Sequence, residues 1–358
     1  MKALVIGGTG PTGPHIVNGL IQRGYQVTIL HRGTHEVDFC GEVEHIHADP
    51  HFTETLSEAL GHRTFDLIMG TYGRLRYIAE VAKGRTSRFI GIGAGAYLGV
   101  MDPKENPAGL SLPIPEDAPL YTDTEANKFL YLVGVSEQAV MRAHNDGYYS
   151  ATILRYPRWI FGPRCLIPIE WSIMRRILDG RKQIIVPDDG LALQTRGYAE
   201  NLAHAALLAA DKPEARGQIY NTGDDRTYTL REWIEKISSA MAHTWELVGI
   251  PWAIAKPSYP YALAKHHAVF DTTKIKTELG YKDAVSTNVA IQKTIEWCLS
   301  NREYVNQVEK NLGDKFDYQT EDKIIGEYKQ CAGKISSIPF TYERPPHAYP
   351  HPKRPQSQ

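Results

Sequence analysis

Long apolar runs are missing from this 358-residue chain. None approaches the roughly 18 residues that a membrane-spanning helix needs, so no membrane partner is expected. The apolar stretch behind Lys2, Ala3-Leu4-Val5-Ile6-Gly7, is too short for a signal peptide and has no small-residue cleavage site, which makes a cytoplasmic protein the expectation. Cysteine is sparse. Cys40, Cys165, Cys298 and Cys331 lie far apart with no CxxC pair, so neither a zinc knuckle nor a redox pair is suggested and no metal is expected. A surplus of charge is missing too: 40 Lys+Arg against 41 Asp+Glu leaves a net −1, which argues against nucleic acid as a partner. What is present, 42% hydrophobic and 23% charged residues, describes an ordinary globular chain long enough for two or three structural units.

The residues alternate between strand and helix signals. An apolar run at 2–6 leads into Gly7-Gly8-Thr9-Gly10-Pro11-Thr12-Gly13, then a helix to Arg23 with Ile16, Val17, Leu20 and Ile21 at helical spacing, then a strand from Tyr25 to Leu30. This is a βαβ unit of a parallel sheet. Further strands are expected at 44–48, 66–69, 88–92, 151–155 and 217–221, and helices at 54–60, 75–82 and about 125–144, which makes the fold class α/β with a doubly wound parallel sheet. Thr229 and Glu232 form a capping box for a helix to Met241.

A helix N-terminus carries unpaired N–H groups and partial positive charge, and small residues before it let a pyrophosphate approach the backbone. Gly7, Gly10 and Gly13, with Thr9, Pro11 and Thr12 between them, occupy the bend, the phosphate approach and the helix-on-strand contact of such a turn. Arg32, at the end of the second strand, suits a ribose 2′-phosphate, so NADP(H) is expected in preference to NAD(H). Asp49, after the third strand, is placed for the adenine edge, and Gly70 ends the fourth strand beside the same site.

These residues resemble the short-chain dehydrogenase/reductase superfamily, in its extended, atypical branch labelled NAD-dependent epimerase/dehydratase. Further carriers of the resemblance are Arg88-Phe89-Ile90-Gly91-Ile92 leading to Gly99, Ile153-Leu154-Arg155-Tyr156-Pro157 with Ile160-Phe161-Gly162-Pro163, Arg196 to Ala203, Asn221-x-Gly223, and Asp271-Thr272-Thr273-Lys274 with Leu279-Gly280-Tyr281. It implies a Rossmann cofactor-binding domain at 1–157 with a returning segment at about 193–221. A smaller substrate lobe is implied at 158–192 and 222–300, followed by a C-terminal extension at 301–358. It also implies a homodimer through the helices around 74–83 and 125–144.

The family's Ser, Tyr and Lys positions fall on Ala94, Phe129 and Val133 when the long helix is registered on Glu137. All three are apolar, so Tyr97 and then Tyr72 are the substitute proton donors to consider. His31 and His47 are expected at the adenosine end, away from catalysis. By the same resemblance Trp159, Phe161, Trp171, Arg196 and Tyr198 enclose a hydrophobic or aromatic small-molecule substrate. Arg155, Arg158, Arg164, Arg175 and Arg176 form a basic cluster that could take an acidic group, with Arg175-Arg176 more in keeping with a solvated helix face. The expected function is an NADP(H)-dependent reductase of an iminium ion, enone or ketone. Epimerase, dehydratase or lyase chemistry, or a non-catalytic NADP(H)-binding regulatory role, are the alternatives.

Overall fold

The computed structural model describes residues 1–71, 73–98, 111–262 and 265–344. Tyr72 and Gly99 therefore lie outside the described residues. The first half of the chain reads β1 (Lys2–Ile6), α1 (Gly13–Gln22), β2 (Gln26–His31), β3 (Val43–His47), α2 (Thr53–Leu60), β4 (Leu67–Gly70), α3 (Leu75–Ala82), β5 (Arg88–Ala94), α4 (Thr124–Asn145) and β6 (Ser150–Tyr156). The second half reads β7 (Trp159–Phe161), α5 (Ile169–Leu178), β8 (Gln183–Pro187), β9 (Leu193–Gln194), β10 (Arg196–Tyr198), α6 (Ala199–Asp211), β11 (Gln218–Asn221), β12 (Tyr228–Thr229), α7 (Leu230–Ala240), β13 (Glu246–Ile250), α8 (Thr273–Leu279), α9 (Thr287–Ser300) and α10 (Arg302–Glu309).

Seven of these strands make one parallel sheet in the order β11-β6-β5-β4-β1-β2-β3. The order reverses between β1 and β4, and the crevice beyond the carboxyl ends of strands at such a switch point is where doubly wound sheets hold ligands. Strand alternation divides the core. Ala3 and Val5 pack on one face with Val17, Leu20 and Leu202, while Leu4 and Ile6 pack on the other with Leu56, Ile78 and Val140. The capping box of α7 is present, with the Thr229 hydroxyl accepting from Glu232 N and the Glu232 carboxylate accepting from Thr229 N. Helix α4 is less regular than its sequence suggests. It breaks at Asn127, whose Oδ1 accepts from Leu130 N at 3.1 Å and so recaps the helix there.

Beyond the sheet, three short strand pairs (β7 with β10, β8 with β13, β9 with β12) and α5, α7, α9 and α10 surround an aromatic core of Trp159, Phe161, Trp171, Tyr198 and Trp233. This first unit runs from Met1 to Phe316. A second begins at Asp317, whose side chain accepts from Thr320 N and caps α11 (Tyr318–Ser336). No helix among the described residues is long and apolar enough to cross a membrane.

The solvated helix face expected for Arg175-Arg176 is corrected by the lobe. Arg176 is 0% exposed, donating to Asp314 through Nη1 (2.6 Å) and Nη2 (3.3 Å) and stacking between Tyr261 and Phe316. Arg175 pairs with Asp179 and Glu309. Burying a guanidinium is tolerable only with such a partner, and removing one member leaves an uncompensated charge. Asp314→Ala should therefore cost about 3–5 kcal/mol in urea unfolding, whereas the paired Arg176→Met/Asp314→Leu change should recover most of that loss. An Asp314→Ala protein as stable as the parent would contradict this placement.

Candidate functional site

The glycine turn stands at the end of β1, directly beside the switch point. Gly7 N donates to Leu30 O at 2.8 Å and Gly13 N to Gly10 O at 3.1 Å. A Cβ at Gly13 would lie 2.2 Å from the carbonyl carbon of Gly8, so only glycine lets α1 start there. A Cβ at Gly10 would meet nothing within 4 Å. Thr12 offers no side-chain cap to α1 and no acidic residue sits in its first turn; with Gly13 N bonded to Gly10 O, Ile16 N to Thr12 O and no N–H on Pro14, the positive dipole end and His15 N are what the turn offers an anion. The residues fit a dinucleotide pyrophosphate.

Other expected contacts gather at the same edge. Arg32 follows β2 directly, Gly70 ends β4, and Asp49 follows β3. The Asp49 carboxylate is already engaged, with Oδ1 accepting from His51 N (3.0 Å) and His51 Nδ1 (2.6 Å). These bonds hold Asp49 below the ordinary carboxylate pKa.

Ala94 ends β5 and is half-buried, Val133 packs beside Tyr131, Leu130 and Ala96, and the Phe129 ring is 68% exposed. Tyr97 is 0% exposed. Its hydroxyl donates to Asn221 Oδ1 (2.5 Å) and accepts from Arg155 Nη1 (2.7 Å), and burial pushes its pKa up to about 12. In this arrangement the hydroxyl is a buried tie and not an available acid, which corrects its expected role as donor.

The tie is part of a network that sequence reasoning missed. Arg155 clasps Glu137 through Nε (2.8 Å) and Nη2 (2.6 Å) and donates to Glu116 O, while Asn221 Nδ2 donates to Ile114 O. It fastens the carboxyl ends of β6 and β11 and the segment that follows β5 to the middle of α4. Arg155 thus leaves the expected basic cluster, as Arg175 and Arg176 do, because each is spent on an internal carboxylate.

The aromatic residues expected against substrate are core. Trp171 donates from Nε1 to Glu309 (2.7 Å), Phe161 packs on Tyr198 and Trp233, and all of them, with Trp159, are buried. Arg196 donates to Gln194 Oε1 (2.8 Å) and stacks on Trp233, and burial lowers its pKa to about 10. Two buried donors, Trp159 Nε1 and Gln194 Nε2, have no partner among the described residues. Near this core Asp224 accepts from Tyr198 N and Asn201 Nδ2, both at 3.0 Å, and burial, aided by Asp283, pushes its pKa up to about 7.

The structure also assembles four donors that the linear sequence scatters. Ring nitrogens of His31, His45 and His47 and a Glu36 carboxylate oxygen lie within 4.8 Å of one another. The detectable signal was His45-x-His47, two histidines on one face of a strand.

No family model matches the chain. Among curated proteins, YbjS of Escherichia coli is 27% identical over 48% of this chain and 57% of its own length. The sterol-4-alpha-carboxylate 3-dehydrogenase (decarboxylating) of Mus musculus is 21% identical over 82% of this chain and 90% of its own. The chain spans about half the length of the first curated relatives it matches. Among solved structures, dTDP-glucose 4,6-dehydratase DesIV of Streptomyces venezuelae, with NAD bound, superposes with a TM-score of 0.67 at 19% identity, over 86% of this chain and all of that one. Epimerases recur beside it. The chain thus has the Rossmann fold of these epimerases and dehydratases, and DesIV, the Thermus thermophilus UDP-glucose 4-epimerase and WbmG of Bordetella bronchiseptica are each solved with NAD.

Two outcomes follow. Gly10→Ala should leave stability within about 0.5 kcal/mol yet weaken dinucleotide binding at least about tenfold by filling the phosphate approach, while Gly13→Ala should destabilise by about 1–3 kcal/mol or more; fluorescence titration and urea unfolding read the two. For Asp224, whose folded pKa lies above its unfolded value, stability is fully present at low pH and is lost as pH rises through about 7. Asp224→Asn should raise Tm at pH 8 by at least about 2 °C and flatten its fall between about pH 4 and pH 7, and an unchanged melting profile would count against the buried charge.

Proposed function

We propose that this protein is an NADP(H)-dependent oxidoreductase of a hydrophobic small molecule, working without the usual tyrosine–lysine pair. The observation that carries the reading is the glycine turn, with Gly10 in open space before an uncapped α1 at the sheet's switch point. When bound, the reduced dinucleotide supplies hydride. Arg32, following the buried His31 at the end of β2, supports preference for a 2′-phosphate.

The choice of acceptor follows from what the chain can do with charge. Hydride added to a ketone leaves an alkoxide that needs a donor or strong hydrogen bonds. Ala94, Phe129 and Val133 supply neither, and the Tyr97 hydroxyl is held by Arg155 and Asn221. An iminium ion, which becomes a neutral amine, or an enone, whose enolate is protonated afterwards, makes smaller demands. Arg155, Arg175, Arg176 and Arg196 all have protein partners, which favours an apolar substrate over the diphosphate of a nucleotide sugar. The same apolar catalytic face also favours a second reading, a dinucleotide-binding protein without turnover.

Fluorescence titration should find NADPH bound at least about tenfold more tightly than NADH, with Arg32→Glu erasing the difference. Equal losses for both nucleotides would contradict the Arg32 contact. Absorbance assays on iminium ions, enones and ketones should show turnover of the first two classes; tight NADPH binding without turnover supports the second reading.

A further inference from the structure

Strands β2 and β3 run parallel at the edge of the sheet with Ile29 opposite His45 and His31 opposite His47. Opposed residues in a parallel pair, and residues two apart on one strand, share a face. Three imidazoles therefore stand on one side of the edge, and Glu36, from the segment linking the strands, closes over them. His31 Nε2 lies 3.1 Å from His45 Nδ1. Glu36 lies 3.2 Å from His45 Nδ1, 3.4 Å from His47 Nε2 and 3.9 Å from His31 Nε2.

We propose that His31 Nε2, His45 Nδ1, His47 Nε2 and the Glu36 carboxylate form a binding site for a divalent transition-metal ion of the zinc class. Imidazole nitrogens with one carboxylate suit Zn(II), Co(II), Ni(II) or Cu(II), whereas Mg(II) and Ca(II) take oxygen ligands. Tetrahedral coordination at zinc–nitrogen distances of about 2.0–2.1 Å sets the ligand atoms about 3.3 Å apart. With Glu36 Oε1 as the carboxylate ligand, three separations already fall between 3.1 and 3.9 Å, Oε2 of the same carboxylate lies 3.2 Å from His45 Nδ1, and one ligand atom from each residue lies within 4.8 Å of the others. Closing that last gap takes movement of about 1.5 Å, within reach of side chains that are 58% (His47) and 56% (Glu36) exposed.

The carboxylate also decides the sign of the ligand. Three imidazoles alone could receive a phosphate, but Glu36 in their midst repels an anion and favours a cation. Loading asks one rearrangement: His31 Nδ1 now accepts from Gly33 N at 3.3 Å, and an imidazole that coordinates through Nε2 carries its proton on Nδ1. That long bond is given up. Gly33 also lies against the His47 ring, so the ion would fasten the turn beside Arg32 to the edge strand.

The test uses the full-length chain without a polyhistidine tag, freed of metal by a chelator and titrated with Co(II) and then Zn(II). One equivalent of Co(II) should bind with the visible band of a four-coordinate site, and Zn(II) should displace it. His45→Ala/His47→Ala should weaken Zn(II) binding at least about a hundredfold with the metal-free Tm unchanged, and Glu36→Gln, at an exposed position, should weaken it about tenfold. A parent protein that takes up no Co(II) at micromolar concentration, or variants that bind as the parent does, would overturn the proposal.

Discussion

Helix α1 meets the turn that follows β1 at a separation that leaves no room for a single carbon atom on Gly13, the Gly8 backbone standing in its way. That contact fixes where the helix begins, and so where its positive dipole end points. Because β1 lies next to the switch point in the strand order, the positive end of α1 faces the crevice between the two halves of the sheet. Gly70, Arg32 and Asp49 end or follow β4, β2 and β3, on the same carboxyl-end side of the sheet. The glycine turn is thus both a packing requirement and the base of a binding site, and Gly10 separates the two roles, since a side chain there would meet only open space.

Farther along the sheet, charge has been turned inward. The Arg155–Glu137 pair, with Tyr97 and Asn221, joins three strands to α4 where a catalytic acid would otherwise be sought. In the lobe, Arg176 with Asp314 does the corresponding work among aromatic rings. Buried pairs of this kind bring little net stability compared with apolar residues of like size, but breaking them is costly, so they hold the surrounding elements to one arrangement. The consequence is a region rich in structural polar groups beside the apolar Ala94, Phe129 and Val133.

Much of the fold was legible because its signals are local. The β–α alternation, the glycine spacing and the Thr229–Glu232 box each depend on residues a few positions apart. Local signals also misled. An uninterrupted pattern at 125–144 hid the recap at Asn127, and Arg175-Arg176 read as solvated because Glu309 and Asp314, the carboxylates that draw them inward, stand well over a hundred residues away. Trp159, Phe161, Trp171 and Tyr198 were read as walls around a substrate, yet bulk alone does not tell a pocket wall from a core, and they fill the core. The four-residue cluster of His31, Glu36, His45 and His47 depends on the register between β2 and β3, which no spacing along a single strand reveals.

The central claim is that the α1 N-terminus holds the pyrophosphate of a nicotinamide dinucleotide. Crystals grown with NADP⁺ test it most directly: the account expects electron density for the pyrophosphate against the backbone of residues 10–13 and for the 2′-phosphate beside Arg32. A dinucleotide bound elsewhere, or none at saturating concentration, would contradict it.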